Sequence, residues 1–322
     1  MLLRLILVAL LCVPAGFVKA QDYPERPVTI VLPYTPGGSV ETVARLFGER
    51  LAQKLGKPFV IENKPGAGTV IGASYVARSA PDGYTLLLAT STTMAINVSV
   101  FKNLTYDPVK DFVPVALVAG VPFILVVNPN LPIQTVEEFV NLAKGTPGGL
   151  AYASFGPGSA AHLYAELFKG MTGMDGTHIP YKGSPPALND VIAGHVSWMF
   201  GDFATTLPLV HAGKLRALGV STASRIAAAP DIPALAEVGV SGYDASAWQM
   251  IVAPSAVPKP IVDRLNAELR EAVADPEIQK QMSDRGFVPL VTTSPDELSH
   301  FIKAEIDRWS DVVRKAGAAG SQ

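Results

Sequence analysis

One strand-to-helix turn, used twice, constrains this chain more than any other feature. An apolar, β-branched stretch at 28–33 runs into Tyr34-Thr35-Pro36-Gly37-Gly38-Ser39. Val43, Leu46, Phe47, Arg50, Leu51 and Leu55 then fall near helical spacing, up to Gly56. A second stretch at 150–155 runs into Gly156-Pro157-Gly158-Ser159, ahead of a helical pattern over 160–171. After each unit come a further strand (58–61; 177–181), a Lys-bearing turn at Lys64 or Lys182, and another helix (70–78; 187–193). Strands at 84–89, 196–200 and 215–221 continue the alternation. Strands alternating with helices make βαβ units. The pattern predicts an α/β chain of two similar lobes, each a mainly parallel sheet with helices on both faces.

Two apolar segments join the lobes. One is 122–129, containing Phe123-Ile124-Leu125-Val126-Val127, and the other is 248–254, containing Met250-Ile251-Val252-Ala253. Each ends at a proline, with a helical pattern beyond it (136–143; 260–273). A chain that leaves the first lobe once and returns once has a two-stranded hinge, here near 122–129 and 246–254. The first lobe is then discontinuous, 21–123 plus 249–322, and the second spans 124–248. Helices at 261–274, 277–285 and 295–316 are expected to pack back on lobe one. The last carries an apolar stripe of Leu298, Phe301, Ile302, Ile306, Trp309, Val312 and Val313.

The first twenty residues read differently from the rest. Arg4 precedes an unbroken apolar run at 5–13, Pro14 and Gly16 break it, and Val18-Lys19-Ala20 forms a small-residue cleavage site. This is the layout of a secretory signal peptide. The run is shorter than the ~20 residues a spanning helix needs. Leu11 precedes the single cysteine, Cys12, where a lipoprotein signal has a small residue, so the reading is cleavage after Ala20 and not lipidation. Removing 1–20 leaves 302 residues, 24 basic against 28 acidic groups and no cysteine. Disulfides and thiol chemistry are then excluded. A near-neutral charge without a basic run argues against nucleic-acid binding.

In open α/β sheets, ligands sit beyond the carboxyl ends of the strands. Those ends carry Gly, Ser and Thr-rich turns at 34–41, 64–69, 90–93, 154–159, 181–184 and 201–205. Several feed helix N-termini, where free N–H groups and the positive dipole end favour an anion. Each Ser or Thr, taken singly, also fits a plain N-cap. Gly66-Ala67-Gly68-Thr69-Val70-Ile71-Gly72 has G-x-G-x-x-x-G spacing and follows the second strand, so it reads as a tight turn and not a dinucleotide site. Nucleophile-elbow, zincin and P-loop motifs are absent. His162 and Glu166 share a helix face, but no further ligand stands near them in sequence, and no metal or cofactor is expected. Glu41 either pairs with Arg45 or projects into the cleft. Asp202 either faces the cleft or caps the next helix.

Several stretches then match a known family in order. They are Tyr23-Pro24-Glu25-Arg26-Pro27, Pro33-Tyr34-Thr35-Pro36-Gly37-Gly38, Glu62-Asn63-Lys64-Pro65-Gly66-Ala67-Gly68 and Pro81-Asp82-Gly83-Tyr84-Thr85-Leu86. Lobe two adds Ser154-Phe155-Gly156-Pro157-Gly158-Ser159 with His162, then Pro180-Tyr181-Lys182-Gly183. Gly213-Lys214-Leu215-Arg216-Ala217-Leu218 and Glu305-Ile306-Asp307-Arg308-Trp309 complete the set. The chain resembles the periplasmic solute-binding receptors of tripartite tricarboxylate transporters, the Bordetella uptake gene family. The resemblance implies a type II-like periplasmic binding protein that closes on a small organic acid, catalyses nothing, works as a monomer and docks to membrane permease subunits. A sensing subunit of a signalling system, or an exported hydrolase, is the alternative. The family grips a carboxylate through amides and hydroxyls of matching loops. Carried over, these are Tyr34, Gly38 and Ser39, with Thr90, Ser91 and Thr92. On lobe two they are Ser154, Gly156, Gly158, Ser159 and His162, with Tyr181 and Asp202 at specificity positions. Glu41 stands where the family often has Asp, and it completes the candidate set.

Overall fold

The computed structural model describes residues 23–315 and 317–322. The expected signal peptide lies outside the described residues, as does Ala316 at the end of the last expected helix. Among the described residues, ten strands form two five-stranded sheets. The first has the order β2-β1-β3-β10-β4, with β1 Val28–Leu32, β2 Phe59–Asn63, β3 Thr85–Thr90, β4 Phe112–Val121 and β10 Ala247–Pro254. The second has the order β7-β6-β8-β5-β9, with β5 Phe123–Val127, β6 Tyr152–Ser154, β7 His178–Pro180, β8 Trp198–Asp202 and β9 Arg216–Val220.

The two sheets share one plan, and it differs from a parallel sheet in one way. In each, three neighbouring strands pair in parallel and one reversed strand is inserted next to the far edge. The reversed strands are β10 and β5. Both are the first strands laid down after the chain crosses between sheets, so they arrive from the opposite direction. The sheets are therefore mixed. The alternation of strands and helices predicts parallel pairing, and it cannot show the inserted strand because no helix precedes it.

β4 is absent from the sequence reading. It ends at Val121, and Pro122 alone separates it from β5 in the other sheet. Near the crossing, the buried Ser221 hydroxyl accepts from the Phe123 N–H (3.1 Å) and donates to the Ala245 carbonyl (2.6 Å). One side chain thus clips the outgoing strand to the returning segment.

Helices cover both sheets. α1 (Ser39–Leu55) buries Val40, Val43, Ala44, Phe47 and Leu51, and it stops at Gly56, whose left-handed φ of 72° a side chain would resist. α2 (Val70–Ala77) and a short α3 (Asn97–Val100) follow in the same lobe. Lobe two carries α4 (Val136–Gly145), α5 (Ala160–Thr172), α6 (Ser184–Ala193) and α7 (Phe203–His211). α8 (Lys259–Ala274), α9 (Pro276–Asp284) and α10 (Pro295–Lys315) return to lobe one. α10 also reaches across, since Trp309 stacks on Tyr164 of α5 with ring centroids 5.9 Å apart. Buried Glu305 of α10 accepts from the indole N–H groups of Trp248 (2.7 Å) and Trp309 (3.0 Å). A buried carboxylate is stable there because Arg308 pairs its charge at 3.2 Å while the indoles use its lone pairs.

Candidate functional site

A cavity of about 40 Å³ lies where the two sheets face each other. The side built on the first sheet supplies the turn and first residues of α1 (Tyr34, Thr35, Gly38, Ser39, Val40), the end of β3 and the π-helical turn after it (Thr90, Ser91, Thr92), and the start of β10 (Ala247, Trp248, Gln249). The side built on the second sheet supplies Phe123, Phe155, Ala160, Ser184 and Asp202. None of the lining residues is basic, and Asp202 is the single acid.

Three residues of this lining carry a polar atom that is buried without a hydrogen-bond partner in the protein: Thr35 Oγ1, Ser91 Oγ and Gln249 Oε1. Each such atom costs about 1–3 kcal/mol when left unpaired. A polar ligand placed there can supply the missing bonds. Larger surface grooves exist beside α8 and α2, but no such atom lines them.

The helix ends divide the work between the lobes. α1 begins at Gly38, with no side-chain cap, and its first residues line the cavity. Its N–H groups and positive dipole end are open to an anion. α5 is instead capped by its own Ser159, whose Oγ accepts from the His162 N–H. The Ala160 N–H donates to Thr92 Oγ1 across the cleft at 3.2 Å. α7 is capped by Asp202, and α6 carries Pro185 and Pro186 in its first turn, which have no N–H to offer. Helix N-termini from both lobes were expected to converge on an anion. Only the start of α1 is left free among those at the cavity: α5 is closed by Ser159 and by Thr92 from across the cleft, α7 by Asp202, and α6 opens on prolines.

Of the sequence candidates, Tyr34, Gly38, Ser39, Thr90, Ser91, Thr92 and Asp202 line the cavity. The Tyr34 hydroxyl lies 3.1 Å from Thr90 Oγ1, and burial raises its pKa. Gly156 and Tyr181 line a second pocket of about 180 Å³ that shares Tyr34 and Phe155 with the first and ends at Lys182. Tyr181 donates to Asp190 at 2.5 Å, and burial beside that carboxylate pushes its pKa up to about 12.

The remaining candidates stand outside the cavity wall. Glu41 accepts from the Gly37 N–H (2.7 Å) and from Arg45, and these bonds, the backbone one first, lower its pKa. It closes its own turn and does not project inward. Gly158 packs against Val100, and Ser159 caps α5. Ser154 is fully buried; its hydroxyl accepts from the Gly156 N–H and lies 2.6 Å from His178 Nε2. His162 does not reach the cavity either. Its Nδ1 accepts from the Gly158 N–H (3.0 Å), and its ring stacks on His178 at 4.0 Å. Burial lowers the pKa of His162 to about 4 and of His178 to about 3. Two neutral imidazoles therefore hold both ends of the 154–159 loop. The resemblance implied a ligand contact for His162, but its partner is the Gly158 backbone, and that of His178 is the Ser154 hydroxyl.

Sequence reasoning missed Gln249. The available signal is a lone amide inside the otherwise apolar strand Ala-Trp-Gln-Met-Ile-Val-Ala-Pro. Thr35 and Ser184 lay inside the turns already named. Trp248, Phe123 and Phe155 look like core residues in sequence and differ from core only by position.

The lobes meet closely around the cavity, and glycines permit it. A Cβ on Gly183 would stand 2.3 Å from Thr35 Oγ1 of the other lobe, and one on Gly68 would stand 3.1 Å from the Pro157 carbonyl.

Residues 43–318 match the model of the tripartite tricarboxylate transporter family receptor. The chain belongs to that receptor family. It is 38% identical to protein BugT of Bordetella pertussis over 305 residues, 94% of this chain and 93% of that one. Among solved structures, the Rhodopseudomonas palustris protein Rpa4515 with adipate superposes with a TM-score of 0.90 at 38% identity, covering 92% of this chain and 99% of that one. MatC of the same organism, with bound malate, gives 0.85 at 34% identity, covering 90% and 100%. The family receptors are periplasmic binding proteins and not enzymes, so the hydrolase alternative is set aside. The two-lobed architecture is the family's, and the cavity sits at the carboxyl ends of β1, β3 and β8, the edge at which open α/β sheets hold ligands.

Proposed function

We propose that this receptor captures a small organic carboxylate between its lobes and delivers it to the membrane permease of a tripartite tricarboxylate-type transporter. One observation carries the reading: three residues with a buried, unpartnered polar atom line one cavity between the lobes together with the uncapped start of α1. Relatives whose structures hold adipate and malate support the choice of a carboxylate. The Gly38 to Val40 amides and the Thr35, Ser91 and Thr92 hydroxyls receive the carboxylate, and Gln249 orients it. The chain is exported by its first twenty residues, cut after Ala20, and acts as a monomer in the periplasm. Lobe one is 21–123 plus 249–322 and lobe two is 124–248. They swing on the two crossings near 122–129 and 246–254, a hinge closure that presents a new face to the permease.

A thermal-shift panel of mono-, di- and tricarboxylates tests this. A ligand that binds only the native state raises apparent stability by RT ln(1 + [L]/Kd), about 2.7 kcal/mol at a hundredfold excess over Kd. One class of carboxylate is expected to raise the melting temperature by several degrees. A flat response across the panel would remove the proposal.

A further inference from the structure

The cavity is electrically lopsided. Lobe one brings hydroxyls and the free N–H groups of α1, while lobe two brings Asp202, 1% exposed and the one charged residue of the lining. No cation in the lining balances it. Asp202 Oδ1 accepts from the Thr205 N–H (3.2 Å) and Oδ2 from the Thr205 hydroxyl (2.7 Å). A carboxylate has about four lone-pair sites. Two are taken by the cap, and the remainder can accept from whatever fills the cavity. The sequence left two roles open for this residue, cap or cleft, and its position serves both.

A ligand that brought only acceptors to both lobes would set one of them against Asp202. Like charges at close range in a poorly solvated site repel strongly. A ligand with a donor on that side gains a charge-assisted hydrogen bond instead. Gln249 Oε1 on β10, 2% exposed and without a partner, adds a second acceptor to the lining.

Resting on the carboxylate reading above, we propose that the solute is a carboxylic acid bearing a hydrogen-bond donor, a hydroxyl or an ammonium group. Its carboxylate meets the start of α1, and its donor meets Asp202. Asp202 is the residue that separates such acids from unsubstituted ones of the same length.

Calorimetric titration with matched triplets is the test: succinate, malate and aspartate; glutarate, 2-hydroxyglutarate and glutamate; propionate, lactate and alanine. In the triplet of the right length, a substituted acid is expected to bind at least tenfold more tightly than the plain one. Asp202→Asn keeps an oxygen for the Thr205 N–H, so α7 stays capped. In this variant the ratio is expected to fall to within about threefold, with the plain acid binding as well as before or better. Equal binding within every triplet that binds at all, or a ratio unchanged in Asp202→Asn, would overturn the proposal while leaving the carboxylate receptor intact. Heat from no triplet would overturn the carboxylate reading, and the proposal with it.

Discussion

At the scale of the residue, two serines at lobe-facing turns have opposite duties. Ser159 caps α5, and Ser91 is fully buried with no partner for its hydroxyl. Ser159→Ala is expected to cost about 1 kcal/mol of stability, the usual value of a cap, with little change in solute affinity. Ser91→Ala removes an unpaired polar group, so the free protein is expected to melt at the same temperature or higher while affinity falls about tenfold. Chemical denaturation and calorimetry on the two variants separate these outcomes. The sequence could not assign the two duties. Both residues sit in Ser, Thr and Gly-rich turns, and a cap differs from a ligand contact only in which N–H lies within 3.5 Å. Gln249 shows the converse case, where one polar residue inside an apolar strand was legible as an oddity but not as part of a site.

At the scale of the element, the loop from β6 to α5 is braced from behind. Tyr152, His178 and His162 form a stacked ladder, and Tyr152 donates to Glu166, which pairs with Lys169. Burial is the main cause of both low imidazole pKa values, to about 4 and about 3, with Lys169 lowering both and Glu166 opposing it at His178. Both rings are neutral in the folded state, whereas the unfolded chain titrates near 6.5. Between pH 6.5 and about 3 the unfolded state therefore binds more protons, and stability falls as pH drops. The His178→Gln variant is expected to show a flatter melting-temperature profile from pH 6.5 to 5, a window above the ordinary range of carboxylates. An unchanged slope would detach the pair from the loop's stability. Strands such as β1 and β3 and helices such as α1 were legible because their periodicity is set by burial on one face. β4 was not, because its ten residues contain a proline and lie beside the crossing, where apolar residues run on without a break. The π-helical turn after β3 also escaped, since such turns carry no spacing rule of their own.

At the scale of the whole molecule, the proposed closure depends on how near two backbones can come. Gly183 has extended backbone that any residue adopts, with φ 163°, yet a Cβ there would stand 2.3 Å from Thr35 of the other lobe. Gly183→Val is thus expected to leave the melting temperature of the free protein within a few degrees while solute affinity falls at least tenfold. Small-angle scattering is expected to show a larger radius of gyration in the presence of solute than the unsubstituted protein shows. The two-lobed plan was legible from the repeated turn. The direction of the inserted strands and the closeness of the lobes were not, since both arise from contacts far apart in sequence. The central claim is that the cavity between the lobes takes a carboxylate through its unpartnered polar atoms. Its most direct measurement is the calorimetric affinity of the best-stabilising acid for the native protein and for Gln249→Leu. One site per chain and a loss of at least tenfold in the variant are expected. Equal affinity in both proteins would contradict it.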